Sequence, residues 1–181
     1  NQRGNLPPGF NLDLERGYWA RNQADEDDQD DATVQGRAQR VVPFVKDTKN
    51  ALVMRFEPPR SGPVMAGLQA AFKQAIQQHF QLEPRELSCE PMPSAQDRQE
   101  ILFYEASEGG AGVLRQVAED PAVLPALARR ALELCHYDPD TLEDLGAEIC
   151  GKACYECLLD YSNQPDHKDL DRTLIRDHLR A

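Results

Sequence analysis

Three cysteines within eight residues, in the run Cys150-Gly-Lys-Ala-Cys154-Tyr-Glu-Cys157, constrain this chain more than any other feature. Two cysteines separated by two residues reach one ion from a single tight turn, and a third at this distance completes most of a tetrahedral zinc site. Five cysteines is an odd number, whereas a disulfide framework is usually even and dispersed. The cluster therefore predicts a metal in a reduced compartment. The same spacing serves radical enzymes that hold an iron–sulfur cluster, but there it opens a βα barrel, and here it lies within the last 32 residues. A four-cysteine iron–sulfur cluster stays open, because thiolate ligands alone do not separate it from zinc.

A fourth ligand is needed. Cys135 is the expected one, since it ends a predicted helix and the stretch 138–146 is long enough to return it beside Cys150. His136 and His167 compete with it. Four protein ligands leave no open position for water, so the zinc is expected to be structural and to fold a lobe with few apolar residues of its own.

Around this cluster the chain is an ordinary globular sequence of 181 residues, 40% hydrophobic and 28% charged. No apolar run approaches the length of a membrane span, and the start at Asn1 has neither an initiator Met nor a signal-peptide pattern. It is expected to be a piece of a larger cytoplasmic protein. The net charge of −11 disfavours free-standing nucleic-acid binding. That objection is partial, because six carboxylates fall in the single run Asp25, Glu26, Asp27, Asp28, Asp30 and Asp31, which reads as a solvated linker.

Periodicity predicts a β-hairpin from strands at 40–46 and 51–56 joined by Asp47, Thr48, Lys49 and Asn50, with Pro43 placing the first strand at an edge. Ser61 and Pro63 start a helix whose apolar face is Val64, Leu68, Ala71, Phe72, Ala75 and Ile76. Two strands, at 86–90 and 100–105, follow around Pro91 and Pro93. Asp120 and Pro121 start a second long helix through Leu124, Leu127, Ala131 and Leu134 to Cys135. A third helix is expected from about Asp166 to the end. The class is α+β: one mainly antiparallel or mixed sheet covered by helices, with a small C-terminal zinc-bound helical lobe. Residues 1–39 are read as an irregular segment and acidic linker, and 40–181 as the folded domain.

Three further features carry weaker signals. Gly109, Gly110 and Gly112 follow a strand and precede a helix start, an arrangement that can cradle phosphate, but no Gly-Lys-Ser/Thr follows and Glu105 and Glu108 would repel an anion. A tight turn is the plainer reading. Lys168, Arg172, Arg176 and Arg180 recur every fourth residue and would form a basic ridge on the last helix, either solvated or touching DNA or a partner. Glu105, Glu108 and His136 are the only general acid–base candidates, and nothing orders them into a mechanism. No Ser/His/Asp, HExxH or Walker pattern appears.

Several segments together resemble the zinc-binding domain named after the mitomycin-repair helicase MrfA. They are residues 40–50, the stretch 103–112 ending Gly-Gly-Ala-Gly, Cys135-His-Tyr-Asp-Pro139, and the cluster continuing as Leu158-Leu-Asp-Tyr-Ser-Asn-Gln164 with His167 and Leu170-Asp-Arg172. The likeness covers roughly 40–175. It implies a non-catalytic accessory domain of superfamily 2 DEAD/DEAH-box DNA helicases in bacterial DNA repair or antiviral defence, either attached to the motor or beside it as a subunit. It also implies four zinc-binding cysteines, which fall here on Cys135, Cys150, Cys154 and Cys157. Asn163, Gln164, His167 and Arg172 then serve an interface or, more plainly, close the zinc lobe by hydrogen bonding. A protein–protein scaffold without DNA contact is the alternative function.

Overall fold

A computed structural model describes residues 9–14, 17–20, 38–106 and 109–180. The acidic run and Glu108 lie outside these residues. Contacts divide the chain into two compact units, Asn1–Asp47 and Thr48–Ala181. The first contains a three-stranded antiparallel sheet in the order β2-β1-β3, made by β1 (Phe10–Asp13), β2 (Tyr18–Ala20) and β3 (Ala38–Val41).

The second unit is built on another antiparallel sheet, ordered β4-β6-β5, from β4 (Ala51–Arg55), β5 (Leu87–Pro93) and β6 (Arg98–Glu105). Its central strand alternates strictly. Ile101, Phe103 and Glu105 point inward while Leu102 and Tyr104 point away, as a half-buried strand requires. Phe103 pairs with Leu52 on one side and Cys89 on the other. Helix α1 (Gly62–His79) lies on β5 and β6, burying Val64, Leu68, Ala71, Phe72, Ala75 and Ile76. Helices α2 (Val113–Glu119), α3 (Val123–Leu134) and α4 (Arg172–Ile175) follow, with α3 and α4 packed on α1. Gly67 makes the α1–α4 approach possible, because a Cβ there would stand 2.7 Å from Ile175 Cγ2. The α+β class stands, with two small sheets where one was expected. Among the described residues no helix is long and apolar enough to cross a membrane.

Three expectations are corrected. The hairpin does not form: residues 38–41 pair with β1, and residues 51–55 pair with β6. Pro43 offers no N–H to a ladder, so the first strand stops before it, and Asn50 instead gives its carbonyl to the Glu105 N–H. Strand β5 continues through Pro91 and Pro93, which an edge strand tolerates because one row of its backbone faces no partner. The final long helix is absent. Residues 161–166 form a 3-10 turn containing Pro165, α4 has four residues capped by Asp171, and 176–178 return to 3-10 geometry. Each polar cap starts a new turn where one continuous helix with Leu170, Leu174 and Ile175 on its apolar face was expected.

The glycine-rich turn holds an anion, and the anion is internal. Glu105 is buried, and its carboxylate accepts hydrogen bonds from the Gly112 N–H at 3.1 Å, the Leu114 N–H at 3.0 Å and Asn50 Nδ2 at 3.2 Å. A Cβ at Gly110, whose φ is +52°, would lie 1.6 Å from Glu105 Oε2, so only glycine admits the carboxylate. Burial alone would raise the Glu105 pKa; the donors from Leu114, Gly112 and Asn50 outweigh it and hold the group below its ordinary value. A depressed carboxylate pKa stabilises the fold above the unfolded value of about 4.3 and loses that contribution as pH falls through the folded value. Glu105→Gln is expected to cost about 1–3 kcal/mol at pH 7. In urea titrations the gap between variant and wild type should close as pH drops below the carboxylate range.

Candidate metal centre

The metal site begins at the end of α3. Cys135 caps the helix, and His136 follows with a left-handed φ of +61°. The Tyr137 N–H bonds back to the Leu132 carbonyl at 2.9 Å and the His136 N–H to the Glu133 carbonyl at 3.0 Å, which is the Schellman arrangement. The position after such a cap usually carries glycine, and a side chain there costs of order 1–3 kcal/mol of backbone strain. Helix α1 ends the same way on Gln81, φ +56°, with Leu82 bonded to Gln77. At His136 the turn swings the imidazole out of the helix line toward the cysteine loop. Gly146 receives it: a Cβ at 146 would lie 2.5 Å from His136 Cβ.

The cysteine loop supplies the other side. Cys150 and Cys157 are buried, while Cys154 is half-buried. The Cys154 N–H donates to Cys157 Sγ at 3.0 Å, fixing one thiol before any ion arrives. Ligand atoms of His136, Cys150, Cys154 and Cys157 all lie within 4.8 Å of one another. Cys150 Sγ and Cys157 Sγ are 3.8 Å apart, and His136 Nε2 and Cys154 Sγ 3.3 Å apart. Zn–S bonds of about 2.3 Å at tetrahedral angles place two sulfurs about 3.8 Å apart, and a Zn–N bond of about 2.0 Å places nitrogen and sulfur about 3.5 Å apart. A disulfide, at about 2.05 Å, does not describe these thiols.

Electrostatics agree with that geometry. Burial pushes the Cys150 and Cys157 thiols up. Burial would raise the Cys154 thiol, but hydrogen bonds with His136, the Glu156 backbone, Cys157 and Cys150 together bring it down to about 7. Buried thiols held as acids become ligands when a divalent cation replaces their protons. The residues fit zinc, and a closed set of three sulfurs and one nitrogen leaves no position for water.

The group does not include Cys135. Its side chain is fully buried in the apolar core, and that burial pushes its thiol up to about 12. Cys135 is the cap residue and stays close enough to feel the Cys150 and Cys154 thiols, while the left-handed φ of the next residue brings the His136 ring into the group. His167 is also elsewhere: its Nε2 donates to Asn163 Oδ1 at 2.9 Å and the Asp160 carbonyl at 3.1 Å. Asn163 in turn bonds the Leu158 carbonyl and accepts from the Asp160 N–H. These residues close the chain just after Cys157, which is the plainer of the two roles considered for them.

The basic ridge does not form. Arg172 is 2% exposed and lies in the lobe interior. Arg176 pairs with Asp177 and lies over the Tyr137 ring, Lys168 is exposed in the loop before α4, and Arg180 is exposed after the last 3-10 turn. Of the acid–base candidates, Glu105 is occupied by the glycine turn and His136 belongs to the metal group.

A family model described as the MrfA Zn-binding domain matches residues 68–158, about half of the chain and inclusive of all four clustered ligand residues. No curated protein and no solved structure matches.

Of the three candidate fourth ligands, only His136 lies in the group. Cys135→Ser should retain one zinc per chain by elemental analysis, whereas His136→Ala should weaken zinc binding in competition with a chromogenic chelator. His136→Gly adds a second readout. With zinc removed, relief of the left-handed strain should make this variant more stable than zinc-free wild type, by about 1 kcal/mol in urea unfolding.

Proposed function

Since the chain belongs to the MrfA Zn-binding domain family, we propose that it is a structural zinc domain serving a DNA helicase, with the ion held by His136, Cys150, Cys154 and Cys157. The four-ligand group carries this reading. It sits where a buried core would otherwise be needed, joins the end of α3 to the C-terminal loop, and is coordinately closed. The residues supply scaffolding and no reaction chemistry. A motor in the same chain or in a partner subunit would hydrolyse ATP, and this domain would brace it in DNA repair or antiviral defence.

Bracing by protein contact has more support than guiding a DNA strand. The overall charge is −11, and Arg172, the centre of the expected basic ridge, is buried and fully engaged. Meanwhile Leu145, Ile149, Tyr155 and Tyr161 are exposed on segments that carry or flank the ligands. Apolar and aromatic side chains of this kind favour a protein partner.

The test is reconstitution with the parent motor. Cys154→Ser is expected to leave ATP hydrolysis intact while lowering unwinding and loosening association with the motor, and zinc content should fall below one per chain. Full unwinding by a zinc-free assembly would refute the bracing role. Charge reversal at Lys168 and Arg180 separates the two functional readings. A loss of DNA affinity with a shallower salt dependence would favour strand contact; no change would favour the scaffold.

A further inference from the structure

We infer that Arg172 is the positioning residue of the metal centre, locking the helix end that carries His136 to the loop that carries the cysteines, and thereby coupling zinc binding to docking of the C-terminal segment. The inference rests on the zinc reading above. It concerns a residue beyond the span 68–158 that the family model matches.

A guanidinium has five N–H donors in a rigid plane, and each one is used here. Nε donates to the Gly151 carbonyl at 3.0 Å. Nη1 donates to the Cys135 carbonyl at 3.2 Å and to Asp144 Oδ1 at 2.8 Å. Nη2 donates to Asp144 Oδ2 at 2.8 Å and to the Cys150 carbonyl at 3.0 Å. These acceptors belong to both halves of the site. Cys135 immediately precedes His136, and Cys150 is the first cysteine of the loop. Backbone bonds from Leu145 to His136 and from Cys150 to Gly146 also join these stretches, and a tetrahedral ion tolerates little error in their spacing.

Asp144 extends the chain of contacts to the histidine itself. The same Oδ1 that accepts from Arg172 also accepts from the Gly146 N–H at 2.9 Å, and Gly146 is the residue against which His136 packs. The Leu145 N–H bonds the His136 carbonyl at 2.9 Å. The guanidinium also lies 4.9 Å from the centre of the Tyr137 ring, the residue that completes the Schellman turn. Its own backbone N–H bonds the Lys152 carbonyl at 2.7 Å, inside the cysteine loop. Arg172 therefore touches the backbone of both segments that carry the four-residue group without belonging to it. Loss of such supporting contacts typically weakens metal affinity 10- to 100-fold.

The arrangement works in both directions. Residues 171–180 dock through Ile175 against Gly67 and through Arg172 against the metal lobe. Filling the site holds the Arg172 acceptors in place, and emptying it frees them. Reciprocity of linkage then requires that whatever loosens the segment also loosens the ion.

The test uses Arg172→Lys and Asp144→Asn in the full chain, since Arg172→Ala would leave buried carbonyls unpaired and can prevent folding. A lysine keeps the charge but lacks the planar fork. Asp144→Asn leaves the arginine and its carbonyl bonds in place. Zinc affinity is read by chelator competition, ligand geometry by the visible spectrum of the cobalt-substituted protein, and segment docking by hydrogen exchange at 171–180 with and without chelator. Both variants are expected to bind zinc roughly 10- to 100-fold more weakly, with a shifted cobalt spectrum, and zinc removal from wild type should accelerate exchange across 171–180. Zinc affinity within twofold of wild type and an unchanged cobalt spectrum in Asp144→Asn would overturn the inference, as would exchange at 171–180 that ignores zinc. A wild-type chain that takes up no zinc would instead defeat the underlying zinc reading.

Discussion

Three thiols and one imidazole converge on a volume that a single ion can fill, and the C-terminal half of this protein is arranged around that convergence. Bringing the sulfurs together as thiolates without a cation would concentrate negative charge in a partly buried site, which is prohibitively costly. A divalent ion turns the same cluster into the strongest cross-link available to a lobe whose core beyond α3 rests on few apolar side chains, Tyr137, Leu158, Leu170, Ile175 and Leu179 among them. Helix α1 and its sheet form a conventional apolar core. The lobe uses coordination and buried polar contacts to do what apolar burial does there.

Much of this was legible in residue order. The cysteine spacing pointed to the metal, the apolar period marked α1 and α3, and alternation marked β5 and β6. That His136 joins the three clustered thiols was not legible, because it depends on one backbone dihedral. A histidine after a helix cap gives no glycine signal, so nothing in the sequence marks the left-handed turn that presents His136, while Cys135 is buried outside the group. Gly146 was the available hint: a glycine ten residues downstream that makes room for a bulky neighbour.

Arg172 was misread for a related reason. A basic residue every fourth position implies an exposed ridge only if the helix exists, and here Asp171 caps a new four-residue helix that gives way to 3-10 geometry at 176–178. Charge then carries no information about exposure, and of the four basic residues Arg172 is buried while Lys168 and Arg180 are exposed. The hairpin failed similarly. Turn residues at 47–50 were correctly polar, but the strands on either side found partners elsewhere.

The packing of Gly146 on His136 has a consequence for how such a domain can drift. The two positions form a single steric unit, in which one side chain exists because the other is missing. A change at 146 to anything larger would read in a sequence as a mild loop substitution, yet it would displace the imidazole and dissolve the coordination sphere. Conversely, a relative that recruits its fourth ligand from another position is released from keeping glycine there. Variation at 146 should therefore track the chemistry at 136, and the pair should be inherited or lost together.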